Sequence, residues 1–332
     1  MIPAGGPFFE DLEVGDLIDT APALTLTAGH AAVHQAIVGD RLRLALDAPL
    51  ARRVLGSETP LAHPALVCDV AIGQSTLVTR RVIANLFYRG LVLHRAPVIG
   101  DTLFTTTEVV ALRQTTLRAN RPASGLAVLR VRTLDQEQRT VLDFWRCAML
   151  PLRDPAGVTG RADDLDAIST ELARGALGEA TAGWRLDVFR AAVGGEHFAD
   201  LTDRARWGPD GGDVVSGAPE LARLTLNVAN VHHDQLATGS DRRLVYGGHT
   251  IGIAAAQATR VLPNLVTIVA WHACDHLAAV FEGDTLYSEL ELERAQPLPG
   301  DGGLLHLRSR VRAERETGPI DVLDWRFVAV LA

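Results

Sequence analysis

The tetrapeptide Gly-Asp-Thr-Leu occurs twice in this chain of 332 residues, at 100–103 and again at 283–286. Each copy closes a related octapeptide, Ala96 to Leu103 and Ala279 to Leu286, and the two Asp residues, Asp101 and Asp284, are 183 positions apart. Further on, Val141-Leu142-Asp143 recurs as Val322-Leu323-Asp324, 181 positions apart, each time leading into an aromatic-containing stretch that ends its half. Two matches in the same order at nearly one offset identify a tandem duplication. The length fits two modules of roughly 150 residues, each large enough to bury a core.

Within each copy the local signals repeat. The Gly-Asp pair is turn chemistry, and the alternating stretches after it, Phe104 to Val110 and Tyr287 to Leu292, predict half-buried strands. Strands continue through Leu126 to Arg132 and Leu142 to Leu150, mirrored by Leu304 to Val311 and Val322 to Leu331. Before each turn lies a small-residue, apolar helix, Ala65 to Ile72 and Thr250 to Val261, apolar on most faces and so predicted to be buried nearly all round. The pattern predicts an α+β tandem double hotdog: two antiparallel sheets, each wrapped around a buried helix, forming a pseudo-dimer. The expected boundaries are 1–153 for the first module, 154–183 for a linker and 184–332 for the second. The linker is expected to carry a short surface helix around Asp164 to Ala173, and Arg206 to Pro219, with four Gly and two Pro, is expected to be a surface loop.

Composition removes several classes of function. A formal net charge of −8 opposes nucleic-acid binding, which needs a basic stripe. The longest apolar runs, such as Leu265 to Trp271, are too short to span a bilayer, and Met1 to Gly6 lacks the basic and apolar regions of a secretory signal. Cys68, Cys147 and Cys274 are odd in number, widely spaced and set in apolar stretches, which predicts buried free thiols and a cytoplasmic location. All the basic residues are Arg, whose planar guanidinium suits phosphate and carboxylate ligands.

The most polar cluster in an apolar setting is Asn227-Val228-Ala229-Asn230-Val231-His232-His233-Asp234-Gln235, after a helical stretch Ala218 to Leu226. It precedes Gly247-Gly248-His249 at the start of the second buried helix. A helix start preceded by glycines offers free backbone N–H groups that can stabilise an enolate oxygen, and a neutral imidazole can hold water or move a proton at neutral pH. Arg242 and Arg243 approach the same glycines, where either a bidentate grip on a distal carboxylate or a solvated strand-end charge is open to them. His249 is either a helix-start residue or a substrate contact. His272 and His276 flank Cys274 on an expected strand, where four residues span roughly 13 Å, too far to chelate one ion. No metal and no cofactor are expected.

The opening Gly6 to Asp16, "PVIGDTL" at 97–103 and, more loosely, "FEGDTL" at 281–286 resemble MaoC-like hotdog dehydratases. "NVANVHHDQ" at 227–235 and "RRLVYGGHTI" at 242–251 resemble the double-hotdog branch that includes mesaconyl-CoA hydratase, also called β-methylmalyl-CoA dehydratase. The resemblance covers nearly the whole chain. It implies a cofactor-free hydro-lyase acting on an acyl-CoA thioester, with a branched C4-dicarboxylic acyl group the implied substrate. It also implies that Asn227 and His232 hold the places of the family's Asp and His, and that Gly247 supplies the oxyanion N–H. Asp234 is a candidate helper, and Gly248, His249, Arg242 and Arg243 are candidate substrate contacts. By the same resemblance Gly39-Asp40 falls where the family has Gly-Asp, but Ala45 stands where its His would be and Pro64, which has no N–H, near the oxyanion position. The first copy is therefore expected to be structural and substrate-binding, the second catalytic. A thioesterase or a non-catalytic acyl-CoA-binding protein are the alternatives, and assembly beyond the pseudo-dimer is optional.

Overall fold

The protein is described by a computed structural model covering residues 5–119, 121–172, 175–201, 205–208, 211–238, 242–299 and 302–332. The first copy runs β1 (Leu17–Ile18), β2 (Leu24–Thr25), α1 (Ala28–Val38), α2 (Arg43–Leu46), α3 (Ala48–Leu55) and α4 (Pro64–Gln74). Four long strands follow: β3 (Ala84–Leu93), β4 (Thr102–Gln114), β5 (Ser124–Leu134) and β6 (Thr140–Pro151). After α5 (Leu186–Ala192) the second copy repeats the plan with β7 (Arg206–Trp207), β8 (Asp213–Val214), α6 (Ala218–Leu224) and α7 (Gly247–Val261). It ends in β9 (Leu265–His276), β10 (Thr285–Pro297), β11 (Gly303–Glu314) and β12 (Ile320–Leu331).

Each long-stranded sheet has the order β4-β5-β6-β3 or its counterpart β10-β11-β12-β9, all antiparallel. The two join edge to edge where β3 pairs with β9, with Tyr88 opposite Cys274 and Leu91 opposite Trp271, so the described strands form one 12-stranded sheet. That junction removes what would otherwise be an open edge on each copy, the usual hazard of an antiparallel sheet. The buried helices α4 and α7 lie against the sheet, and one continuous apolar core runs from Leu44, Leu66 and Phe144 to Ile251, Leu265 and Trp325. Every residue of α4 is buried.

The duplication extends to hydrogen bonds. Gln74 at the end of α4 donates to the Leu103 carbonyl at 3.1 Å, and Gln257 on α7 donates to the Leu286 carbonyl at 2.9 Å. Asp101 and Asp284 each accept the N–H three residues upstream, from Val98 and Phe281. A bidentate Arg130–Asp143 pair in the first copy is matched by Arg308–Asp324 in the second.

Two local expectations are corrected. Residues 164–172 form no helix: Asp164 ties the Asp166 N–H locally, and Leu165 inserts into a small cluster with Phe87, Val128 and Cys147, making this stretch an apolar strap across the sheet. The expected helix also reached Ala173, which lies outside the described residues. The stretch 206–219 is more than a loop, because β7 and β8 pair with β10 and α6 begins at Ala218. Among the described residues no helix is long and apolar enough to cross a membrane.

Candidate active site

Leu226 is one of two described non-glycine residues with positive φ, at 59°, and it stands directly before Asn227. In the first copy the same step is Gly39, at φ 75°, followed by Asp40. Both Asn227 and Asp40 then use Oδ1 to accept the N–H two residues on, from Ala229 at 3.0 Å and Leu42 at 2.6 Å. A left-handed residue followed by an Asx turn is thus the shared backbone device that ends the preceding helical segment and turns the chain.

The side chains built on this turn differ. Because Asn227 Oδ1 is occupied by the Ala229 N–H, its Nδ2 is the donor left to face the cavity. His233 Nε2 reaches back to the Asn227 carbonyl and staples the loop. His232 is 8% exposed, and its Nδ1 lies 3.1 Å from the Leu244 carbonyl. A carbonyl can only accept, so Nδ1 carries the proton and Nε2 keeps its lone pair. Burial drives the His232 pKa down to about 4, against a partial opposing effect of that backbone bond, so the ring is a neutral base at pH 7.

A cavity of about 340 Å³ brings Asn227, His232 and Gly247 together. Gly247 opens α7 after Tyr246, which offers no side-chain cap; the His249 N–H is taken by the Tyr246 carbonyl at 3.0 Å, and the Gly247 N–H lies at the positive end of the dipole of a 15-residue helix. A Cβ on Gly247 would sit 2.6 Å from His276 Cε1 and 2.7 Å from its Nε2. An imidazole packs on the bare Cα, so a side chain here would displace His276. His276 also lines the cavity, burial lowers its pKa to about 4, and its Nε2 has no partner.

The cavity is not the work of the second copy alone. Ile72, Thr76, Thr79, Tyr88 and Arg146 of the first copy line it. Thr76 Oγ1 accepts the Val228 N–H at 2.9 Å, and the Arg80 carbonyl accepts the Asn230 N–H at 3.0 Å. A Cβ on Gly73 would meet the Thr225 carbonyl at 1.8 Å, so the end of α4 is pressed directly against the turn that carries Asn227. Sequence reasoning passed over His276, judged only as a metal ligand, and Arg146 and Thr76. Their common signal, a polar residue inside a strongly apolar element, was present in the chain but did not say which face they share.

The other candidates fall away from the cavity wall. Arg242 pairs with Asp284 and the Glu282 carbonyl, and Arg243 with Glu282 and the His233 carbonyl, so both brace the Gly-Asp turn. Of the two roles open to them from sequence, a grip on a distal carboxylate or a strand-end charge, the geometry shows guanidiniums paired with acidic side chains. Asp234 is exposed and accepts the Leu236 N–H, a turn role. Gly248 is needed for packing: a Cβ there would meet Asp69 Oδ1 at 2.0 Å. His249 is fully buried behind the helix start, both ring nitrogens lack partners among the described residues, and burial lowers its pKa to about 4.

In the first copy Asp40 is 2% exposed and its Oδ2 lies 3.0 Å from His63 Nε2. Ala45 follows five residues on inside α2, and Pro64 occupies the first position of α4 where α7 has Gly247. Cys68, Cys147 and Cys274 are free and buried, and burial pushes Cys147 up to about 12 and the other two well above the ordinary thiol value. None is a thiolate nucleophile at neutral pH. His272 turns away from His276, with Nε2 2.9 Å from His306 Nδ1.

Comparison with known proteins agrees with this tandem, double-hotdog architecture. A solved conserved hypothetical protein from Mycobacterium tuberculosis, described as having a double hotdog fold, is 55% identical with TM-score 0.93, covering 100% of each chain. A solved MaoC domain protein dehydratase from Chloroflexus aurantiacus is 25% identical with TM-score 0.84, covering 98% of this chain and 97% of its own. The β-methylmalyl-CoA dehydratase of Chloroflexus aurantiacus is 28% identical over 330 residues, 94% of this chain and 89% of its own length. The family model described as mesaconyl-CoA hydratase matches residues 3–303, and the chain accordingly belongs to the mesaconyl-CoA hydratase family of MaoC-like, double-hotdog hydro-lyases.

Proposed function

We propose that the protein adds water to, and removes it from, the α,β double bond of a short branched dicarboxylic acyl-CoA such as mesaconyl-CoA and β-methylmalyl-CoA. The observation that carries this reading is the convergence, in one cavity, of a neutral imidazole with a free Nε2, an amide donor and an uncapped helix start. In hydration, the Gly247 N–H donates to the thioester oxygen, so charge developing there meets a fixed dipole. His232 Nε2 takes a proton from water as the oxygen bonds to Cβ, and the imidazolium returns that proton to Cα as the enolate collapses. Asn227 Nδ2 donates to the water oxygen. In dehydration His232 Nε2 takes the Cα proton and passes it to the leaving oxygen, which departs as water while the same Asn227 donor steadies it.

The direct test incubates the protein with mesaconyl-CoA, crotonyl-CoA and saturated acyl-CoAs while following the enoyl absorbance and free CoA separately. Loss of enoyl absorbance without free CoA is expected. Release of free CoA with no hydration would replace this reading with a thioesterase.

A further inference from the structure

Arg146 sits on β6 of the catalytically unequipped copy, opposite Tyr88 and Leu129, and is 3% exposed. Its Nη2 donates to the Ser75 carbonyl at 3.2 Å and to Thr79 Oγ1 at 2.6 Å, both neutral acceptors, and its Nε has no partner. No Asp or Glu among the described residues lies within ion-pair distance of it. Two other strand arginines, Arg130 on β5 and Arg308 on β11, each hold a carboxylate bidentately. An uncompensated buried cation costs several kcal/mol, so a chain that keeps one has a use for its charge.

The cavity gives that charge a setting. Arg146 lines it together with Asn227, His232, Gly247 and His276. The two histidines are neutral at pH 7, and burial raises both Tyr88 and Tyr246 above their ordinary value, so they are neutral as well. Arg146 is therefore the charged side chain of the described cavity wall. Fixed by Ser75 and Thr79 on one side, the guanidinium has its remaining donors for a planar anion.

We propose that Arg146 is the specificity residue of this site: it receives a carboxylate borne by the acyl chain, and so the silent copy selects dicarboxylic over monocarboxylic acyl-CoAs. This rests on the acyl-CoA hydratase reading above, and two measurements separate their failures. In the first, Arg146→Gln is assayed on mesaconyl-CoA and crotonyl-CoA. The loss of kcat/KM on mesaconyl-CoA should exceed the loss on crotonyl-CoA by at least thirtyfold, with most of the excess in KM. Equal losses on the two would overturn the proposal.

The second needs no variant and no turnover. Binding of succinyl-CoA and butyryl-CoA, saturated thioesters that differ by a terminal carboxylate in place of a methyl, is measured calorimetrically on the unaltered protein. Succinyl-CoA should bind at least tenfold tighter, and equal affinities would overturn the proposal even if Arg146→Gln failed to fold. If the protein hydrates neither enoyl-CoA but prefers succinyl-CoA, the hydratase reading fails while the carboxylate site stands.

Discussion

The proposed role of His232 as proton acceptor requires it to be unprotonated when substrate arrives, and burial favours that state. Its pKa of about 4 in place of 6.5 predicts that kcat/KM for hydration stays flat from pH 8 to about 5. An ordinary histidine of 6.5 would have cost about thirtyfold over that range. A rate that declines with a midpoint near 6.5 would exclude His232 as the free-enzyme base. His232→Gln should lower turnover by about 10²–10⁴-fold, the usual worth of a general base, with the dichroism of the fold unchanged. The neighbouring glycine supports a second test at the same scale. Gly247→Ala drives a methyl into the His276 imidazole and should lower kcat at least tenfold. Adding His276→Ala removes the obstacle, so part of the loss should return. A double variant no better than Gly247→Ala would mean that the clash is not what disables the site.

Among elements, the informative contact is between α4 and the turn that carries Asn227. The helix belongs to the first copy, yet Gly73 lets it approach the Thr225 carbonyl and Thr76 accepts the Val228 N–H. Gly73→Ala should destabilise the protein by about 1–3 kcal/mol, the range for overpacking a close contact, as read from urea denaturation. Hydration should fall by more than the folded fraction does, because the turn is displaced along with the helix. An activity loss that merely follows unfolding would show that α4 supports the fold alone. The strap at 164–172 teaches the complementary point. Its composition resembled a helix, but Leu165 found a pocket on the sheet, and tertiary burial outweighed a weak local propensity.

For the whole molecule, His232, His249 and His276 together make stability depend on pH. Each has a folded pKa near 4, below its ordinary 6.5, so between those values the unfolded chain binds more protons and stability rises with pH. Acidification from pH 7.5 to 5 should cost on the order of 2 kcal/mol per histidine, seen as a Tm lower by several degrees. A Tm unchanged over that window would mean that these rings are hydrated in solution. The same molecule-wide view ties the first copy to the cavity. The β3–β9 junction and the shared core tie the copies into one sheet, and the cavity draws its wall from both.

The duplication, the buried helices and most of the long strands were legible in the chain, because repeats, periodicity and turn chemistry are local properties of sequence, whereas the proposed trio Asn227, His232 and Gly247 came from the resemblance to a family. Local information ends where separate segments meet. Arg242 and Arg243 stand close to the glycines in sequence but are held by Glu282 and Asp284, whereas Arg146, about a hundred residues away, lines the cavity. His276 reads as a strand residue until α7 brings the bare Cα of Gly247 against it. One sequence thus determined two copies of a fold and the unequal endowment of their turns. Only packing decided which buried cation and which imidazole share the site, because burial and proximity belong to the folded chain and not to any stretch of it.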